Sequence, residues 1–175
     1  TGTLWSILKL SIPGAIATIA VMTGFALFAG IASRLDEVSP WPGSNGEPVA
    51  MASTTVIVGI LKLTFTACLA FGTATATLVS QSLGEKEPDK ASRFGWTSAK
   101  LGLAIFGVVG LLEAAFATPI LNVVTSSPLV HQASHTPLIM MGLVTPLIAV
   151  AMILTQALFG AGDTIFVMIV ELVLH

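Results

Sequence analysis

Charge is what this sequence lacks most. Asp, Glu, Lys and Arg make up 9% of its 175 residues, against roughly 25% in a soluble domain. Hydrophobic residues reach 54% and the mean hydropathy is +0.94. Such a chain has too little polar surface to cover itself in water, so the bilayer is its expected solvent. It also lacks a basic excess: the formal net charge is −2, which leaves no electrostatic footprint for nucleic acid. A single cysteine, Cys68, excludes a disulfide within the chain and reads as a small packing residue in mid-helix. The first residues, TGTLWSILKLSIPG, have neither the n-region nor the cleavage site of a signal peptide. Starting at Thr1 and stopping in an apolar run at His175, the chain reads as a piece of a longer protein. It shows no paired acids, metal cluster or nucleophile–base pair at membrane depth. No catalytic, cofactor-binding or metal-ligating set is therefore expected, and no enzyme activity.

What is present is a series of apolar runs separated by short polar stretches. The runs predict helices at about 4–33, 50–83, 91–118 and 136–159, with a fifth begun at 165–175. The fold class is all-α: a polytopic membrane protein with four transmembrane helices and the start of a fifth. Between the runs lie a proline- and glycine-bearing loop at 34–48, a charged turn at 84–90, a polar connector at 119–135 and a tight turn at 160–164. Pro146 near the middle of segment four marks a kink. Placed in alternation, the segments put Lys9, Lys86, Lys90, Arg93 and Lys100 on one side and only Arg34 on the other. The basic excess makes the 86–93 side cytoplasmic and the 34–48 loop external.

The densest information lies in 66–90, TACLAFGTATATLVSQSLGEKEPDK. Gly72, Ala76, Ser80 and Gly84 recur every fourth residue and predict a small-residue edge for close helix approach. Beside it, Thr66, Thr73, Thr77 and Gln81 form a hydroxyl and amide stripe. A polar stripe on an apolar helix predicts a surface facing protein or water rather than lipid tails, so Thr73, Thr77 and Gln81 are candidate cleft-lining residues. Gln156 on segment four is a further candidate, either lining the cleft or bonding between helices.

Ionisable groups at membrane depth are functional candidates in their own right. Lys62, on an overlong segment two, reads as snorkelling to the outer interface rather than facing a cleft. Glu113, near the outer end of segment three, reads as a hydrated carboxylate. Glu171 is the deepest acid in sequence, after an unbroken apolar run at 165–170, and is the preferred proton or cation candidate. His131 and His135 have helical i,i+4 spacing but no third ligand, and read as a solvated pair in the connector. Asp163 is expected to cap segment five.

GTATATLVSQSLGEKEPDKA at 72–91 resembles the signature of the multidrug and toxic compound extrusion (MATE) antiporters: a small- and threonine-rich helix, a Val-Gly-Gln-like step and a turn before a basic loop. LKLSIPG at 8–14 is similar to the opening of each lobe's first helix, ILNVVTSSPLVHQAS at 120–134 to the loop between third and fourth, and ALFGAGDT at 157–164 to the turn after the fourth. Ser80 stands where the family often has glycine. The resemblance implies two six-helix lobes with substrate held between them, of which this chain is most of one. GAGDTIFVMIVELVLH favours the second lobe. It further implies a cation-coupled antiporter that exports organic or xenobiotic compounds by alternating access, with a proton or sodium ion as the coupling ion. The implied partners are the lipid bilayer, a small organic substrate and the missing lobe; the implied location is the plasma or inner membrane. The family's coupling acids lie in the first helix of one lobe, or the first and fourth of the second. Segments one and four carry no Asp or Glu, so no coupling residue is transferred. The alternatives are a lipid-linked oligosaccharide or polysaccharide flippase of the same superfamily, whose cleft is more basic, and a non-transporting structural subunit.

Overall fold

The computed structural model describes residues 2–174, with side chains from Ile12 to Val170 except at 13, 14, 17, 20 and 21. It is all-α: α1 (Gly2–Val38), α2 (Val49–Gly84), α3 (Pro88–Ala115), α4 (Ala117–Val124), α5 (Pro128–Ala161) and α6 (Thr164–Leu174). Among the described residues α2, α3 and α5 are long and apolar enough to cross a membrane. At a rise of about 1.5 Å per residue, α2 is ~54 Å long, well beyond the roughly 30 Å of bilayer hydrocarbon. Large apolar side chains such as Leu63, Leu101, Leu111, Leu147 and Ile19 stand exposed on the outside of the bundle, as a lipid-facing surface requires. The chain is a polytopic membrane protein.

The core is a three-helix seam in which α5 packs against both α2 and α3. Its sequence basis is a row of small or apolar residues along one face of each helix. On α2 the buried row is Ser53, Ile60, Thr64, Cys68, Gly72, Thr75 and Val79; on α5 it is Ser134, Leu138, Gly142, Thr145, Ala149 and Ile153. Both rows advance in the same direction: Ser134 Oγ donates to Ser53 Oγ at 2.9 Å, while far along both helices Gly160 packs on Ala76. Thus α2 and α5 run parallel, with α3 antiparallel to both. Close approach rests on glycine. A Cβ at Gly142 would stand 2.6 Å from the Gly110 carbonyl oxygen and 3.0 Å from the Ala114 amide nitrogen. Pro146 has no N–H to return to the Gly142 carbonyl, and that carbonyl is the atom a side chain at Gly110 would strike.

The predicted small edge holds over half its length. Gly72 packs on Gln156 and Ala76 on Gly160, but Ser80 is exposed and Gly84 has open space around it. α2 closes with Lys86 N–H donating to the Leu83 carbonyl at 3.0 Å and Glu87 N–H to that of Ser82 at 2.9 Å. The left-handed position of this motif falls on Lys86, at φ 63°, rather than on Gly84. The equivalent close of α5 places Gly162 there, at φ 84°. Asp163 Oδ1 then accepts from Phe166 N–H at 3.3 Å, the cap expected of it.

Two stretches depart from the sequence expectation. The connector expected at 119–135 forms α4 and the opening of α5. Pro119 sits in the first turn of α4 and Pro128 starts α5, positions where proline's missing N–H costs nothing. α4 packs Ala117 and Leu121 against Ile60 of α2 and Leu138 of α5, so it prolongs the contact that α3 begins. The second departure is Asp36. Expected in the 34–48 loop, it lies on the last turns of α1, where its two carboxylate oxygens accept from Ala50 N–H and Met51 N–H, each at 2.8 Å. Pro48, at the cap position of α2, supplies no side-chain cap, so Asp36 does this from a neighbouring helix and adds a negative charge at a helix N-terminus. Asp36→Ala is expected to cost about 1–2 kcal/mol and to lower the thermal midpoint of the full-length protein in detergent, with Asp36→Asn intermediate. An unchanged midpoint in Asp36→Ala would show that the cap contributes nothing.

Candidate functional site

The buried row of α2 defines its back. Thr55, Lys62, Thr66, Thr73, Thr77 and Ser80 stand on the face turned away from α3 and α5, all exposed, with Gln81 exposed at its margin. The stripe therefore runs along α2, broken at Gly59 and at Leu69–Ala70, and it points out of this lobe. The local chemistry lets it do so. Thr55 donates to the Met51 carbonyl, Thr66 to Lys62, Thr73 to Leu69, Thr77 to Thr73 and Ser80 to Thr77, at 2.7 to 3.0 Å. Each hydroxyl proton is satisfied by its own helix, and each oxygen keeps a lone pair to offer outward.

The remaining candidates do not join this face. Gln156 lies half-buried in the seam between α2 and α5, its Cβ and Cγ against Gly72, so packing places it inside the lobe. The side chain of Glu171 lies outside the described residues. Lys62, read from sequence as snorkelling, shares the exposed face with Thr66 and Thr73.

The largest departure is Glu113. Instead of being hydrated it is buried, at 9% exposure. Thr64 Oγ1 of α2 donates to Oε1 at 2.6 Å and Thr145 Oγ1 of α5 approaches Oε2 at 3.2 Å. Position along its own segment misled. Glu113 lies two residues from the end of α3, but α4 covers that end, and Thr64 and Thr145 stand close to the midpoints of α2 and α5. The acid sits between two apolar layers, Ile60–Leu121–Leu138 on one side and Cys68–Phe106–Ala149 on the other. The available sequence signal was the coincidence of an acid on one apolar segment with isolated threonines central to two others.

His131 and His135 also differ from expectation. They occupy the first turns of α5, half-buried, with rings stacked 6.2 Å apart. His135 Nε2 lies 3.2 Å from Thr118 Oγ1, while His131 Nε2 is buried without a partner beside a polar recess of about 300 Å³ lined by Asn122, Thr125 and Ser127. Among the described residues no three His, Cys, Asp or Glu side chains gather in a way that would hold a metal ion. At the opposite end of the bundle, Lys90 pairs with Glu85 at 2.7 Å and Glu87 at 3.1 Å on an exposed surface, a contact worth little in water.

The described residues thus combine an outward polar face on α2, a glycine-lined seam and a buried acid. The MatE family model matches residues 41–174. A "Probable multidrug resistance protein NorM" from Caulobacter vibrioides is 31% identical over 93 residues, 50% of this chain and 19% of that protein. Another protein of that name, from Mannheimia succiniciproducens, is 31% identical over 121 residues, 69% of this chain and 24% of its own length. The chain thus spans no more than a quarter of the length of these relatives. No solved structure matches it. With the family model covering most of the chain, the chain belongs to the MatE family, the multidrug and toxic compound extrusion transporters it resembles in sequence.

Proposed function

We propose that the full-length protein is a cation-coupled antiporter that exports organic or xenobiotic compounds by alternating access, and that this chain is most of one lobe, the second. One observation carries the reading: α2 turns a row of hydroxyl side chains and Lys62, spread from Thr55 to Ser80, away from its own lobe. In a lipid-facing position that face would be apolar, as it is on α3 at Leu101, Leu111 and Val108. Opposite a second lobe it lines a wet cleft. The names of the two relatives favour small organic drugs as cargo. Pro146, inside α5 and adjacent to the tight Gly110–Gly142 contact, is where a bend of the lobe is absorbed as the cleft opens. The basic end at Lys86, Lys90 and Arg93 faces the cytoplasm, and the membrane is the plasma or inner membrane. Proton or sodium is the coupling ion.

Vesicles containing the full-length protein are expected to expel a fluorescent cationic dye when a proton or sodium gradient is imposed, and not without one. Gradient-independent dye distribution in such vesicles would reject antiport. A second reading has one observation in its favour: Lys62 shares the polar face, and a cation there suits an anionic cargo such as a lipid-linked oligosaccharide. In that case Lys62→Gln would abolish movement of a labelled pyrophosphate-linked lipid and spare dye export.

A further inference from the structure

The Glu113 carboxyl makes a hydrogen-bond pattern whose protons can be counted. Thr64 Oγ1 donates to Oε1 at 2.6 Å. Thr145 Oγ1 lies 2.9 Å from the Met141 carbonyl oxygen and 3.2 Å from Oε2, placed to bond with both. A hydroxyl has one proton. If Thr145 gives it to Met141, the bond to Oε2 needs a proton from the carboxyl; if Thr145 gives it to Oε2, the Met141 bond is lost and the contact no longer needs a proton on Glu113. Heavy atoms in one arrangement thus serve two states that differ by one proton.

We propose that Glu113 is a proton-carrying site, a carboxyl held between α2, α3 and α5 that takes up and releases one proton, with the Thr145 hydroxyl switching acceptor between Met141 and Glu113. On release the O–H bond at Oε2 breaks, its electron pair stays on the carboxylate and the proton passes to a solvent water. The Thr145 hydroxyl then turns from the Met141 carbonyl to Oε2, so the new charge keeps two donors, one from Thr64 and one from Thr145. The apolar layers at Ile60–Leu121–Leu138 and Cys68–Phe106–Ala149 bound the site along the bundle, so the proton enters and leaves across the bundle rather than along it.

The surroundings favour a proton over a metal cation. Both carboxyl oxygens are met directly by hydroxyls, whereas a hard cation needs several oxygens around a shared cavity. The charge environment is also sparse. Cys68 on α2, one turn beyond Thr64, is a titratable side chain close enough to feel the charge of Glu113. Lys62 is exposed on the opposite face of α2, α4 carries no ionisable side chain, and α5 carries only His131 and His135, more than two turns from Thr145.

The site's role in driving export rests on the antiport reading above, but its protonation can be read without transport. Infrared difference spectra of the full-length protein in lipid, recorded across a pH titration, are expected to show the C=O stretch of a protonated carboxyl disappearing as pH rises. That band is expected to be lost in Glu113→Gln, to shift in Thr145→Val and to return to its original position in Thr145→Ser. A band that survives in Glu113→Gln, or no titrating carboxyl band in the wild type, overturns the proposal. A band removed by sodium at fixed pH also overturns it, in favour of a metal cation. In vesicles, Glu113→Gln is expected to lose gradient-driven export while retaining exchange of dye down its own gradient. Unchanged proton-driven export in Glu113→Gln would reject the coupling role. A wild type that moves no dye would reject the antiport reading and leave the infrared result to decide the site.

Discussion

Gly142→Val is expected to remove the folded lobe from the membrane, while Gly59→Val leaves it intact. Both glycines lie in long apolar helices, so hydropathy does not separate them. At Gly142 the added Cβ meets the Gly110 carbonyl at 2.6 Å and the Ala114 amide nitrogen at 3.0 Å, both backbone atoms, which no rotamer change can move aside. At Gly59 nothing lies within 4 Å. Overpacking typically costs about 1–3 kcal/mol and more where backbone blocks relaxation. In a bilayer, no hydrophobic gain offsets helix separation, because lipid tails are as apolar as the side chains they replace. The strain also falls one turn from Thr145 and Pro146, so the α5 bend and the Glu113 site are disturbed together. Monodispersity of the full-length protein in mild detergent, with its thermal midpoint, reads the difference. Gly142→Val behaving as wild type would mean that α3 and α5 do not approach as described. Gly110→Ala should be nearly as harmful. Combined with Gly142→Ala it should cost less than the two single effects added, because once the helices part the second methyl finds space.

Several of these features could be read from sequence, for definite reasons. The helices follow from uninterrupted apolar runs, and the polar face of α2 follows from a period that survives any error in its ends. Glu113 was not legible because the residues that surround it are 49 and 32 positions away, and only packing brings Thr64, Glu113 and Thr145 to one level. Asp36 was hidden for a similar reason: its partners lie in the next helix, 14 and 15 residues on. α4 is hidden because the polar residues at 125–127 and 131–135 make the stretch read as a connector, although Pro119 in the helix's first turn breaks nothing. The small edge was overextended. Gly72 and Ala76 pack because α5 presents Gln156 and Gly160 opposite them, while Ser80 and Gly84 keep the spacing without a partner.

Replacing Thr73 and Thr77 together by leucine should leave the protein abundant and stable in the membrane and cut export by about thirty-fold. The two side chains are exposed and their hydroxyls bond only to α2's own carbonyls, Leu69 at 2.8 Å and Thr73 at 3.0 Å. Those carbonyls remain in the helix ladder when the hydroxyls are removed, and leucine is the better helix former. Folding therefore has no reason to suffer. What changes is the outward surface, where two lone-pair-bearing oxygens give way to apolar bulk. If that surface is the cleft, two lost polar contacts to cargo or its water, at about 1 kcal/mol each, amount to roughly thirty-fold in rate or affinity. Thr73→Ser with Thr77→Ser keeps both oxygens and should export normally. Thr97→Leu, exposed on α3 outside the stripe, controls for added bulk on the outer surface. The lipid-facing alternative makes the opposite forecast: two leucines would suit hydrocarbon better than two threonines, so abundance would rise or stay level and dye export would be unchanged. Normal export by the double leucine variant would thus move the cleft off α2, and with it the reading of this chain's polar face.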